Sequence, residues 1–131
     1  MVFSGQEDGF CECLRYWRSS CVTGLFWGIW YAPMILQGHN FPLNQVPGFF
    51  MMTLCCVLIS PLFVFVKYKT GSVLASALMH SSANGAGSIA VTAVSGGSNL
   101  MVGITGASGI VVLAAFNLLI WVYLRCGGAL E

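Results

Sequence analysis

Charged residues are scarce in this sequence, and their scarcity excludes most soluble folds. Only 7% of the 131 residues are Asp, Glu, Lys or Arg, whereas 57% are hydrophobic, and the mean hydropathy is +0.84. A soluble domain carries about a quarter charged residues. The net charge of +1 also provides no basic face for a nucleic acid. The composition therefore predicts an integral membrane protein that binds no nucleic acid and whose first partner is the lipid bilayer.

The N-terminus lacks the pattern of a cleavable signal peptide. The first ten residues are polar and acidic rather than basic and then apolar, and three of the four acidic residues lie within positions 1–18. We expect this segment to be interfacial or cytosolic and to form a short helix from Glu7 onward. Membrane targeting then depends on the apolar runs that follow.

Four runs without a charged residue follow, and each is about long enough to cross the hydrocarbon core of a bilayer. They cover residues 19–36, 46–66, 72–94 and 100–124. The third run is the weakest by hydropathy, because it is rich in Ser, Ala and Gly, and such small residues suit close contact between helices. The runs predict an all-α fold, a polytopic membrane helical bundle of about four transmembrane helices, in a single domain over residues 1–131.

All the basic residues lie in segments that four crossings would place on one side of the membrane. They are Arg15, Arg18, Lys67, Lys69 and Arg125. The other two connectors, 37–45 and 96–99, carry no charge. The positive-inside rule therefore predicts that both termini are cytosolic and that the 37–45 loop lies on the opposite face.

The six cysteines allow two interpretations. Cys11 and Cys13 have the spacing of half a metal site, but no second Cys or His pair stands at a matching distance, and Cys55 and Cys56 lie in the middle of the second run. We therefore interpret most of the cysteines as small apolar fillers. The cofactor is unknown, and a divalent metal stays open because no complete ligand set is visible in the sequence.

A histidine and an asparagine stand four residues apart inside the third run. On a helix this spacing places His80 and Asn84 on one face, able to hold one small polar atom between them. A structural role, in which each side chain bonds to a neighbouring helix, is the alternative. Ionisable residues within a membrane lean towards function, so the pair is a candidate site.

Three segments of the chain resemble the motifs of a family of intramembrane proteases. One family motif has an aromatic residue four positions before a histidine, one runs from a basic residue and Thr-Gly-Ser to HxxxN, and one has two glutamates followed by an arginine. The matching segments here are Phe26–Pro33 with Ile35–Pro42, Lys69–Ser72 with His80–Asn84, and Gly5–Phe10. The family is CPBP, which contains the CAAX prenyl-protein endopeptidases and the bacterial Abi proteins, and the resemblance covers roughly residues 5–95.

The resemblance implies an intramembrane endopeptidase of the metallo or glutamate type, acting on prenylated or other membrane-bound peptides. In the family, the paired glutamates and the histidine of the aromatic motif activate water, and the last histidine and asparagine stabilise the oxyanion. It therefore implies catalytic positions at Glu7, Tyr31, His80 and Asn84. We expect Tyr31 and His80 to face one another across a polar cavity, with Asn84 on the same wall and Glu7 approaching from the N-terminal segment.

Three residues depart from the family pattern. Gln6 takes the place of the first glutamate, Cys11 that of the arginine, and Tyr31 that of the histidine. Glutamine is no base at neutral pH, and tyrosine, with a pKa of about 10, is a poor one. The sequence therefore predicts little or no turnover.

Two further interpretations of the chain stay open beside the protease. One is a non-catalytic relative or fragment that binds a membrane partner or a lipid-modified peptide, and a longer upstream reading frame with an intact glutamate pair would argue against it. The other is an unrelated four-helix membrane protein. That interpretation would require all the motif matches to be coincidence.

Overall fold

The computed structural model describes residues 4–93, 96–98 and 100–127, without the side chains of residues 4–10 and 90–92. Within these ranges the chain forms four α-helices and no strand. They are α1 (Ser4–Leu36), α2 (Gln45–Thr70), α3 (Val73–Ala93) and α4 (Ala107–Arg125). The protein is therefore an all-α bundle, as its composition predicts.

Three of the helices are long and apolar enough to cross a membrane. The candidate spans are Cys11–Leu36, Gln45–Thr70 and Ala107–Arg125, among the residues that the structure describes. Helix α3 does not qualify, because Ser, Gly, His80 and Asn84 lower the hydropathy of a helix that is otherwise long enough. The chain is an integral membrane protein, and α3 is the least apolar of its four helices by composition.

Two boundaries differ from the sequence prediction. The short N-terminal helix and the first run form one continuous helix, because no Gly or Pro interrupts residues 10–23. The last helix begins at Ala107 rather than at residue 100. Gly103 adopts φ 95°, and Gly106 is extended with ψ 178°, so this apolar stretch folds into turns before α4 starts.

Helix α1 packs against α2 along a stripe of small residues spaced four apart. Ser20 is fully buried, and Gly24 and Gly28 follow it on the same face. A Cβ atom at Gly24 would lie 2.5 Å from the Cα of Val57, and one at Gly28 would lie 2.7 Å from the Cα of Thr53. Only glycine allows the two backbones to approach this closely.

Helix α2 is the centre of the bundle, and each of the other helices donates a side-chain hydrogen bond to its backbone. The bonds run from Tyr16 Oη to the Pro61 carbonyl at 2.5 Å, from Ser76 Oγ to the Phe63 carbonyl at 2.8 Å, and from Asn117 Nδ2 to the Leu58 carbonyl at 2.6 Å. In hydrocarbon such bonds between helices replace the water that would otherwise satisfy these groups.

The basic residues gather at one end of the bundle, where the first part of α1 meets the last turns of α2 and α4. The Tyr16 and Tyr68 rings lie 6.5 Å apart, and Lys69 Nζ lies 5.0 Å from the centre of the Tyr123 ring. Arg125 lies over Trp121 at 4.9 Å. The opposite end, formed by the 37–44 turn and the segment before α4, carries no charged residue.

Candidate functional site

His80 is held on α3 by aromatic rings from two other helices. Its imidazole lies 5.1 Å from the centre of the Trp27 ring on α1 and 5.4 Å from that of Phe63 on α2. Trp27 and Phe63 also contact one another at 6.0 Å. Aromatic rings from α1 and α2 therefore meet the imidazole of His80, which stays partly exposed.

Asn84 lies one turn further along α3 and contacts the same imidazole. Its Nδ2 atom is 3.1 Å from Nε2 of His80. An amide N–H donates, so in this assignment Nε2 accepts and a neutral ring carries its proton on Nδ1. The pair therefore offers two outward donors, which are Nδ1–H of His80 and the second N–H of Asn84.

Both side chains line a cavity of about 560 Å³ between α1, α2, α3 and the segment before α4. Tyr31 lines it from α1, one turn after Trp27, with the two rings 6.4 Å apart. The structure thus brings Tyr31, His80 and Asn84 to one cavity.

Glu7, the remaining predicted site residue, has a side chain outside the described part of the structure. Its backbone belongs to α1, 24 residues before Tyr31. At 1.5 Å per residue this separation is about 36 Å along the helix, far more than a glutamate side chain spans. Because α1 is one continuous helix, the backbone at positions 6 and 7 lies at the end of the bundle away from the cavity.

Two cavity residues were not predicted as site residues, because the 37–45 segment was interpreted as a connector and its match to the aromatic motif implied no role for them. His39 and Asn40 line the same cavity as His80. The turn is fixed by positive φ angles at Gly38 (93°) and Asn40 (64°) and by a bond from His39 N to the Met34 carbonyl at 3.0 Å. Phe41 follows and is fully buried. One feature of the sequence could have indicated His39: the chain has only two histidines, and both lie in otherwise uncharged stretches.

The two cysteines of α2 form part of the cavity floor. Cys55 and Cys56 are 4% and 2% exposed and line the cavity from α2. The Cys55 thiol donates to the Ile104 carbonyl at 3.5 Å, which ties the segment before α4 to α2. All six cysteines of the chain are free. The burial of Cys55 and Cys56 fits the role of small apolar fillers, whereas Cys11 and Cys126 are exposed.

The residues that the structure describes do not make a metal site. No group of three or more His, Cys, Asp and Glu among them has the geometry to hold an ion. His39 and His80 are the imidazoles of the cavity, and no described carboxylate lines it. The described donor set therefore does not fit a divalent metal, and the proposed chemistry uses none.

Comparison with known proteins identifies one family that this chain resembles. No curated protein and no solved structure matches the chain. The family model described as type II CAAX prenyl endopeptidase Rce1-like matches residues 9–86. That range covers more than half of the chain and includes Trp27, Tyr31, His80 and Asn84, but it starts after Glu7. By this match the chain belongs to the Rce1-like family of type II CAAX prenyl endopeptidases.

Proposed function

We propose that the cavity is the peptide-binding and oxyanion-binding half of an intramembrane endopeptidase site, and that its turnover is low in this chain. The observation that carries the proposal is the hydrogen-bonded His80–Asn84 pair, which lines a cavity of a CAAX protease family member with the His80 ring against Trp27 and Phe63. The substrate class is a prenylated or other membrane-anchored peptide.

The chemistry of the pair follows from its two outward donors. A peptide carbonyl placed beside Nδ1–H of His80 and the free N–H of Asn84 would be polarised, and the negative charge of a tetrahedral intermediate would be stabilised. With Asn84 Nδ2 as the donor of the 3.1 Å bond, Nε2 of His80 accepts and the ring proton lies on Nδ1, which makes Nδ1 a donor. Losing one oxyanion donor costs about 100- to 1,000-fold in turnover.

The missing half of the chemistry is a base that activates water. Tyr31 lies in the cavity where the family carries a histidine, and position 7 lies about 36 Å along α1 from it. General-base assistance contributes about 100- to 10,000-fold, so its loss alone reduces hydrolysis to a low level. Glu7 is the one glutamate left of the first motif's pair, and along the described course of α1 it does not reach the cavity.

A second candidate function is binding without hydrolysis. The same observation favours it, because the described cavity keeps donors for a carbonyl but has no carboxylate. Such a protein would hold a lipid-modified peptide in the membrane and release it unchanged. The two candidates share the binding site and differ only in turnover.

Cleavage of a membrane-anchored, prenylated reporter peptide distinguishes them. We expect slow or undetectable cleavage by the natural chain and a gain of about 100-fold or more for Tyr31→His, which places a base in the cavity. The gain should vanish in Tyr31→His/His80→Ala. A well-folded Tyr31→His variant that binds the peptide and stays silent would favour the pure binding function.

We also propose that both termini lie on the cytosolic side of the membrane and that residues 1–131 act as one domain. The support is the gathering of the five basic residues at one end of the bundle. A cysteine probe at Leu43 in the 37–44 turn, in a background without other cysteines, tests the orientation. In sealed vesicles of known sidedness, an impermeant reagent should label it from the non-cytosolic face, and labelling from the cytosolic face would reverse the orientation.

A further inference from the structure

Helix α1 carries two arginines on the side that faces away from α2. Tyr16 and Ser20 are buried on the packed side of this helix. Arg15 and Arg18 are exposed. Both arginines lie within Cys11–Leu36, the candidate membrane span that α1 provides. A guanidinium at the edge of a membrane span reaches towards the lipid headgroups and is costly there without an anion or water beside it. An anionic partner is therefore expected on this face.

Two other cations at the same end of the bundle have aromatic partners. Lys69 and Arg125 lie over rings of α4, at 5.0 and 4.9 Å from the ring centres. No such contact is found for Arg15 or Arg18 within the described part of the chain, and no ion pair joins either of them to the exposed Glu12. Their guanidinium groups therefore keep their donors for a ligand.

An exposed apolar stripe continues from the two arginines along α1. Residues three or four positions apart on a helix share a face, and positions 15, 18, 22, 25 and 29 follow this spacing. The last three are Val22, Leu25 and Ile29, and all of them are exposed. From Arg18 to Ile29 the stripe is about 16 Å long, close to half of the hydrocarbon core of a bilayer. The face thus combines two cations with an apolar surface one leaflet long.

An anionic glycerophospholipid matches both parts of this face. Its phosphate accepts hydrogen bonds from guanidinium groups, whose planar fork suits two phosphate oxygens at once. Its acyl chains run from the headgroup towards the middle of the bilayer, as the stripe does. A soluble phosphate compound would meet the arginines alone and leave the stripe without a ligand. The charge and the length of the face therefore favour a lipid.

We propose that Arg15 and Arg18 together bind the headgroup phosphate of an anionic glycerophospholipid. One of its acyl chains lies along the stripe formed by Val22, Leu25 and Ile29. The lipid is thus a specific ligand of α1 rather than only the solvent around it. The proposal concerns the exposed side of this helix and does not rest on the proposed function.

Native mass spectrometry of the full chain in detergent tests the proposal. The chain is titrated with phosphatidylglycerol and with phosphatidylcholine that carry the same acyl chains, so the two lipids share the phosphate and differ in net charge. We expect a one-to-one complex and a preference of about tenfold for phosphatidylglycerol, since a basic residue at an anionic membrane surface contributes about 1 kcal/mol. Arg15→Gln/Arg18→Gln should bind both lipids equally. The matched control, Lys67→Gln/Lys69→Gln, removes two charges from the same end and should keep the preference.

A second arm separates the lipid from its headgroup. Glycerophosphoglycerol carries the same phosphate without acyl chains, and we expect it neither to bind the natural chain nor to compete with phosphatidylglycerol. Competition by this soluble compound would show that the arginines bind phosphate alone and would overturn the role of the stripe.

Three results would overturn the arginine site. They are equal affinity of the natural chain for the two lipids, a preference that survives in Arg15→Gln/Arg18→Gln, and an equal loss of preference in the lysine control. If the double arginine variant does not fold, the single variants decide. Arg15→Gln and Arg18→Gln should each reduce the preference about threefold, and a full preference in both would contradict the proposal.

Discussion

The two faces of α2 are built in opposite ways. Against α1, backbone meets backbone at Gly24 and Gly28. Against α3, the contact passes through the rings of Phe63 and His80 and leaves a cavity beside them. The difference teaches that the α1–α2 interface supplies most of the packing and that the α2–α3 interface holds the candidate site. Substitutions in the two should therefore have separable effects.

The largest expected effect is on the close interface. Gly24→Leu would place a side chain against the Val57 backbone, where even a Cβ would lie 2.5 Å away, and α1 would have to separate from α2. Overpacking of this kind costs about 1–3 kcal/mol or more, enough to unfold a marginally stable bundle. Gly85→Leu on α3, where no atom lies within 4 Å of the added Cβ, is the matched control.

Thermal unfolding of both variants in the same detergent measures this contrast. We expect the folded fraction of Gly24→Leu to collapse while Gly85→Leu melts close to the natural chain. Similar melting temperatures for the two variants would show that α1 and α2 do not pack as closely as described.

An intermediate effect is expected at the ring that orients His80. Trp27→Ala removes the contact at 5.1 Å and leaves the imidazole free to rotate, so binding of a prenylated peptide should weaken about three- to tenfold. Trp30→Ala changes the same residue type on the same helix at a site 78% exposed. Its affinity should equal that of the natural chain, and an equal loss in both variants would mean that the effect is not local to His80.

The smallest effect is expected where α4 meets α2. Asn117→Ala removes the donor to the Leu58 carbonyl and should lower the free energy of unfolding by about 0.6–1.7 kcal/mol. Ser81→Ala removes only a bond to Ala77 within α3 and should cost less. Denaturant titration of both variants checks the difference. A larger cost for Ser81→Ala would contradict the view that bonds between helices stabilise this bundle.

The sequence predicted the fold from one physical property, because charge-free runs of about 20 residues have few alternatives to membrane helices. It failed at residues 100–106, where hydropathy is high but the positive φ of Gly103 and the extended Gly106 favour turns. Hydropathy reports the environment of a residue and not its backbone geometry. The start of α4 could therefore not be predicted from hydropathy.

The candidate site was predictable only in part, for a related reason. The i,i+4 spacing of His80 and Asn84 is local and survives in any helix, so the pair could be identified from the sequence. The contacts of His80 with Trp27 and Phe63, and the place of His39 in the same cavity, depend on how three helices pack. The expected approach of Glu7 depended on a break before residue 19, and α1 has none.

The central claim, that His80 and Asn84 form an oxyanion site even where turnover is low, is tested most directly by a transition-state mimic. The measurement compares the affinity of the natural chain for a prenylated peptide and for the same peptide with a tetrahedral phosphinate at the scissile position. The account predicts that the phosphinate binds about 100-fold more tightly and that His80→Ala and Asn84→Ala each remove most of this gain. Equal affinity for the two ligands in a well-folded natural chain would contradict it.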